Sequence, residues 1–308
     1  MPARDQRDVV IIGGGPAGVS CALECMDIQL DAEVFEADDR LGGQLVEIHH
    51  SVRNVPAGRF ENGPALRDAM EESAALLGER LRLSQAVTRV DLSERWVDVD
   101  GSRVHARALV LATGTGHQQL PAAVAGSYGG AVTYQLETAD RDQFDGRDVV
   151  VIGGGDSGTL DALELARRGS TVMLVHRSTA LTARDDIVEQ IGREPRIDDL
   201  PGWELEALHG GDHLEEVILR RADGQRRRLA AQGVVVRIAR VPRTQLFHGQ
   251  LELDRGGAIV VDNELHTSRD GVFAAGDVVA DAYARVATAL GQGVLAARSV
   301  LRFLQGRP

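Results

Sequence analysis

The sequence predicts an α/β architecture of two three-layer domains, the second inserted in the first, and three features carry that prediction. One glycine pattern occurs twice, as Val9-Val10-Ile11-Ile12-Gly13-Gly14-Gly15-Pro16-Ala17-Gly18 and as Val149-Val150-Val151-Ile152-Gly153-Gly154-Gly155-Asp156-Ser157-Gly158, with Gly153 following Gly13 by 140 positions in a chain of 308 residues. In each copy the apolar run reads as a buried parallel strand and the first glycine as the tight turn. The second glycine lets backbone approach a pyrophosphate, and the third allows close helix–strand packing. Helical patterns follow, Val19 to Met26 and Thr159 to Arg168. Their N-termini offer unpaired N–H groups and partial positive charge to phosphate. Third, the strand Ala32-Glu33-Val34-Phe35-Glu36 ends in a carboxylate 18 positions after Gly18, where Glu36 is placed to bind a ribose hydroxyl pair. Two Rossmann-like units and two bound dinucleotides are therefore expected. Their contacts would include Gly13, Gly15, Gly18 and Glu36 in the first unit, and Gly153, Gly155, Asp156, Ser157 and Gly158 in the second.

The remaining elements follow in order. Leu41-Gly42-Gly43-Gln44-Leu45 is a second glycine turn, and Arg53-Asn54-Val55-Pro56-Ala57-Gly58 is another, before a helix beginning near Gly63-Pro64. Residues 87 to 107 are β-rich, and Ala108 to Gly114 is a buried strand ending in small residues. The polar, glycine-containing stretch from Gly116 to Phe144 suits a crossing between domains. The second glycine run opens a βαβ unit closing at Thr171 to Arg177, and Leu214 to Leu229 reads as a hairpin turning at Ala222-Asp223-Gly224-Gln225. Val241 to Phe247 recrosses, so 1–116 with 246–308 forms one domain and 117–245 the other. A short strand, Gly271 to Asp277, and a helix from about Ala282 to Phe303 complete the chain.

Charge and composition exclude several functions. The net charge is −12, which repels nucleic acid. No apolar run reaches the roughly 18 residues needed to cross a bilayer, and the charged N-terminus runs straight into the first strand, so a cytoplasmic protein is expected. The 34 basic residues are all arginine, which rules out Schiff-base chemistry. Cys21 and Cys25 are four apart on the first helix and read as core residues. No zinc-type spacing exists and no metal site is expected.

The order of Gly13 to Gly18, Gly42-Gly43-Gln44-Leu45, the Asn54/Pro56 turn, Ala112-Thr113-Gly114, Gly153 to Gly158 and Gly271 to Asp277 resembles the low-molecular-weight thioredoxin reductases over nearly the whole chain. The resemblance implies FAD in the discontinuous domain, NADPH in the inserted one and a homodimer. It places Asp277, with Gly276, on the ribityl chain, and Gln44 and Asn54 near the isoalloxazine ring, with Gly43, Thr113 and Gly114 among the FAD contacts. Arg285-Val286-Ala287 would start the helix whose N-terminal dipole faces the flavin. His176 and Arg177 match the start of the family's 2′-phosphate cluster, whereas Ser178 and Thr182 stand where it has further arginines. Arg177 tilts the choice towards NADP, with NAD possible, and Arg184 could substitute if its loop folds back.

Thioredoxin reductases carry a redox-active Cys-x-x-Cys before the second fingerprint; here the two possible alignments put Leu136 and Ala139, or Tyr134 and Glu137, in those places. The chain in this respect is similar to thioredoxin-reductase-like ferredoxin–NADP reductases. The leading expectation is an FAD-dependent oxidoreductase that takes hydride from NAD(P)H and reduces an external acceptor, protein or small molecule, without a protein disulphide. Ferredoxin or flavodoxin would fit Arg220, Arg221, Arg226, Arg227 and Arg228 on the hairpin. His49 and His50 could supply acid–base catalysis in that reaction, or in an alternative dehydrogenase or oxidase of a small molecule that uses oxygen. A non-catalytic dinucleotide-binding redox sensor is the third possibility.

Overall fold

The structure, a computed structural model, describes residues 6–56, 58–121, 124, 128, 130–136 and 142–307. Residues 1–5, Ala57, Glu137, Ala139 and Pro308, which enter the sequence reading, lie outside the described residues.

The chain forms two compact units, Met1–Gly116 with Val241–Pro308, and His117–Arg240. The first begins with β1 (Gln6–Ile12), α1 (Pro16–Asp27) and β2 (Ala32–Phe35), a β-α-β crossover that pairs β1 with β2 in parallel. Val9, Val10 and Ile11 are fully buried. Each such side chain contributes roughly 1.5–3 kcal/mol, and burial on both faces is what a near-continuous apolar strand of a parallel sheet requires. Helix α2 (Gly63–Ala74) follows, its N-cap Asn62 accepting from Ala65 N at 2.9 Å. Next come β3 (Leu81–Arg82), β4 (Val87–Asp91), β5 (Trp96–Val99) and the ten-residue β6 (Ser102–Leu111).

Strand β6 does two jobs. Its first half pairs antiparallel with β5, Trp96 opposite His105, while its second half pairs parallel with β1, Ile11 opposite Val110. The result is a sheet ordered β3-β2-β1-β6-β5-β4.

The crossing strand β7 (Thr115–His117) leads into the second unit, built on β8 (Val132–Thr133), β9 (Asp148–Ile152), α3 (Asp156–Arg167), β10 (Thr171–His176), α4 (Asp185–Arg193) and β11 (Ile197–Pro201). An antiparallel ribbon of β12 (Glu204–Gly210), β13 (Leu214–Arg220) and β14 (Arg226–Ala230) precedes β15 (Gly233–Val236). The parallel sheet runs β11-β10-β9-β15-β8. The β13–β14 turn closes where Arg221 N donates to Gln225 O at 2.9 Å.

Strand β16 (Arg240–Pro242) brings the chain back. The return falls at Val241 rather than at 246. The reason lies in hydrogen bonding: β16 pairs with β7, and Arg243 N already donates to Gly114 O at 3.0 Å, so the residues from 241 onward are tied to the first unit. Strand β17 (Val272–Ala274) then joins β6 in parallel, and α5 (Val286–Leu304) lies against α1. That crossing is close: a Cβ on Gly293 would fall 2.3 Å from Ala17 O, and Ser20 Oγ donates to Leu290 O at 2.8 Å. Helix α5 starts at Val286, later than the apolar pattern suggests, because Arg285 is extended (φ −143°, ψ 146°) and acts as its N-cap. No helix among the described residues is long and apolar enough to cross a membrane.

Candidate dinucleotide sites

The two glycine runs fold on one plan. Gly13 N donates to Phe35 O at 2.9 Å and Gly153 N to Val175 O at 2.8 Å, each tying the turn to the neighbouring strand. Gly13 (φ +111°) and Gly153 (φ +136°) adopt backbone that only glycine reaches without strain. A Cβ on Gly18 would sit 1.9 Å from Gly13 O, and one on Gly158 2.0 Å from Gly153 O, so in both copies the last glycine lets helix and turn touch. A later loop returns to each run: Gly42 N donates to Gly14 O at 3.0 Å and Thr182 N to Gly154 O at 2.8 Å.

In the first unit the residues fit a bound dinucleotide. Gly15 caps α1 with no side chain donating or accepting there, and no atom lies within 4 Å of where its Cβ would be. The helix N-terminus thus offers its N–H groups to an anion. Glu36 is buried; its Oε2 accepts from Gly14 N at 2.6 Å and its Oε1 from Asp38 N at 2.9 Å. These two bonds aim the carboxylate while leaving lone pairs for a ribose diol. Gly43 (φ +48°) likewise opens onto free space.

Around Asp277 the expected residues meet. Gln44 Nε2 donates to Asp277 Oδ2 at 3.3 Å and to Thr115 Oγ1 at 3.0 Å, and a Cβ on Gly114 would lie 3.4 Å from the same nitrogen. Thr113 Oγ1 donates to Arg243 O at 2.7 Å, and Gly276 N to Gln292 Oε1 at 2.7 Å. Val286 and Ala287 form the first turn of α5, which no side chain caps. Asn54 is exposed in the loop between Val52 and Phe60 and makes no side-chain hydrogen bond among the described residues. His49 is half-buried and His50 exposed, just past the 3-10 turn Gly43–Glu47.

Sequence reasoning missed two residues here. Gln292 is one turn of α5 from the core residue Ala296 and carries no motif signal. Arg67 on α2 is the other: its side chain is 13 % exposed, its Cγ would stand 2.8 Å from a Cβ on Gly42, and its buried Nε has no hydrogen-bond partner among the described residues. Its Nη2 pairs with Asp68 Oδ1 at 3.4 Å, and a largely buried guanidinium with an unbonded Nε beside a glycine turn fits an anion held nearby. The only linear signal is an arginine next to Leu66 on the buried side of an amphipathic helix.

The second unit shares the frame and differs in its polar groups. Gly155 is again an uncapped N-cap facing open space, with Thr182 Oγ1 the nearest atom at 3.8 Å from its virtual Cβ. Asp156 stands in the first turn of α3 and accepts from Arg184 N at 2.9 Å, so the loop folds back and places Arg184 at this helix end. Ser157 and Gly158 continue the helix. His176 is buried, and both its ring nitrogens are engaged: Nε2 with Asp199 Oδ1 at 2.8 Å and Nδ1 with Ser178 Oγ at 3.0 Å. Arg177 is exposed, without a hydrogen bond or ion pair among the described residues. Beneath the run, Arg237 Nε and Asp161 Oδ2 form a fully buried ion pair at 2.6 Å.

The arginine hairpin is largely neutralised. Arg226 forms a bidentate pair with Glu206 at 2.7 and 2.8 Å, Arg228 reaches Glu216 at 3.3 Å, Arg227 lies 3.8 Å from Asp198, and Arg221 stacks on Trp203 at 4.6 Å. It is a ladder of cross-strand pairs rather than a bare cationic patch.

Comparison with known proteins decides the family. The pyridine nucleotide-disulphide oxidoreductase family matches residues 7–293. The chain belongs to this family. It is 35% identical to a thioredoxin reductase of Streptomyces clavuligerus over 97% of this chain and 94% of that one. It is 29% identical to a 34.2 kDa protein in the rubredoxin operon of Clostridium pasteurianum, over the full length of both. The crystal structure of Lactococcus lactis thioredoxin reductase superposes with a TM-score of 0.88 at 26% identity, covering 97% of this chain and 99% of that chain. The two Rossmann-like units are those of thioredoxin reductase structures, and this family of oxidoreductases binds FAD and NADPH.

Proposed function

We propose that this chain is an NAD(P)H-dependent flavoprotein that reduces an external acceptor without a disulphide of its own. The observation that carries this reading is the position of its sulphurs. The sequence has two cysteines, and both are fully buried in α1, one helical turn apart, behind the first glycine run. A hydrogen bond with Cys25, together with burial, holds the Cys21 thiol well above its ordinary value. Disulphide exchange needs a thiolate that can reach its partner, and the full burial of both sulphurs keeps them from that chemistry.

FAD, when bound, supplies hydride acceptance and onward electron donation. The chain's residues hold and orient it: Glu36 the adenosine ribose, the α1 N-terminus with Arg67 the diphosphate, Asp277 with Gln44 the ribityl and ring end, and the α5 N-terminus at Val286 and Ala287 a stabilising dipole. In the second unit Gly153, Gly155, Ser157 and Gly158 would hold the pyridine nucleotide diphosphate and Arg177 the 2′-phosphate. His49 or His50 would supply a proton to a small-molecule acceptor.

Small iron–sulphur or flavin carriers are the acceptors to test, since one relative is named for a rubredoxin operon. A homodimer follows from likeness to the thioredoxin reductases. The test is steady-state NADPH and NADH oxidation with ferredoxin, flavodoxin or rubredoxin, set against thioredoxin coupled to a disulphide dye. Carrier reduction with no thioredoxin reduction is expected. Thioredoxin turnover at carrier-like rates contradicts the reading, and no pyridine nucleotide oxidation with any acceptor favours the small-molecule oxidase.

A further inference from the structure

The second glycine run carries a charge arrangement absent from the first. Val175 pairs with Ile152 as Phe35 pairs with Ile12, so His176 occupies the place that Glu36 takes in the first unit. The packing agrees: a Cβ on Gly154 would fall 2.9 Å from His176 Cβ, and one on Gly14 3.0 Å from Glu36 Oε2. This is the position from which a Rossmann unit reads the adenosine ribose.

His176 is 2 % exposed at its side chain and bonded within the protein at both ring nitrogens. An ionised carboxylate only accepts, so the Nε2 proton points at Asp199 in either charge state of the ring. That donor is taken. Asp199 itself, on β11, is 39 % exposed. A carboxylate is therefore presented at the edge where a 2′-phosphate would bring about −1.5 to −2 charges. Arg177 is the adjacent cation, and Ser178 spends its hydroxyl on His176.

We propose that Asp199 is a specificity-determining residue: it withholds His176 from the 2′-phosphate and opposes that phosphate's charge, so that the second site accepts NADH about as readily as NADPH. The inference rests on the reading of the second run as a pyridine nucleotide site. Arg177 still favours the phosphate; Asp199 cancels much of that gain.

The experiment is calorimetric titration of the FAD-loaded protein with adenosine 2′,5′-bisphosphate and with 5′-AMP, ligands that differ only in the 2′-phosphate. Wild type should bind the two within about threefold of each other. Asp199→Asn keeps an acceptor for His176 but removes the charge, and should tighten the bisphosphate about fivefold with AMP unchanged. Asp199→Ala also frees the imidazole, and should tighten it about tenfold. Variants that unfold at the wild-type temperature yet leave the ratio unchanged, or that weaken both ligands equally, overturn the inference. If wild type binds neither ligand, the nucleotide reading of this run fails, and the inference with it.

Discussion

The two glycine runs share a backbone and differ in chemistry. Strand, turn and helix superimpose down to individual bonds: glycine N–H to the neighbouring strand, last glycine against first, a later loop returning to the second glycine carbonyl. At the strand end, however, the first copy presents the carboxylate of Glu36 aimed by Gly14 N, and the second presents an imidazole turned inward to Asp199. Behind the turn the first copy has Ala112 and Thr113, while the second has Arg237 locked to Asp161. Glycine placement makes a dinucleotide cradle; the residue at the end of the second strand decides which ribose it reads.

This contrast can be broken from either side. The largest effect is expected from Glu36→Arg, which replaces the proposed ribose acceptor with a bulky cation; about 3 kcal/mol, or roughly a hundredfold in FAD affinity, should be lost. Protein purified with full flavin content would refute Glu36 as the ribose ligand. In the second unit Asp161→Ala removes the buried carboxylate that pairs with Arg237 and should lower stability by about 3 kcal/mol, read by denaturant unfolding. FAD content should survive, since both residues belong to the other unit.

Arg67→Met keeps the aliphatic packing over Gly42 and removes the charge, so FAD affinity should fall about tenfold with thermal unfolding of the apoprotein unchanged. An unchanged affinity would make Arg67 a packing residue alone. Arg177→Ala should weaken NADPH by about tenfold and leave NADH nearly untouched; equal losses would show Arg177 to be structural. The smallest change is expected from Cys21→Ala with Cys25→Ala, which should keep turnover. In wild type Cys21 is neutral in the fold, and its raised value means that its contribution to stability is full below the ordinary thiol value of 9.0 and declines as pH rises above it. The double variant should lose that decline, as alkaline unfolding curves would register.

Much of the fold was legible because its determinants are local. A buried apolar run followed by glycines at fixed spacing dictates strand, turn and helix from consecutive residues, and Val9 to Gly18 and Val149 to Gly158 are such segments. Candidate site residues could be proposed from the sequence where a motif names them, as with Glu36, or a family resemblance does, as with Gln44 and Asp277, which the fold brings within 3.3 Å of each other. Contacts set by strand register were not. His176 and Asp199 are 23 positions apart and meet because β10 and β11 align Leu174 with Asp199. Arg237 and Asp161 are 76 apart, and nothing in either neighbourhood announces the pair. The hairpin arginines looked like a docking patch because their acidic partners, Glu206 and Asp198, come from other strands.

The claim that the chain works without a protein disulphide is tested most directly by counting electrons. Anaerobic titration of the FAD-loaded protein with NADPH, followed by flavin absorbance, should reach its end point at one equivalent of NADPH per FAD, the capacity of the flavin alone. An end point at two equivalents, or loss of the second equivalent's uptake on replacing Cys21 and Cys25 by alanine, would show a second two-electron centre and contradict the account.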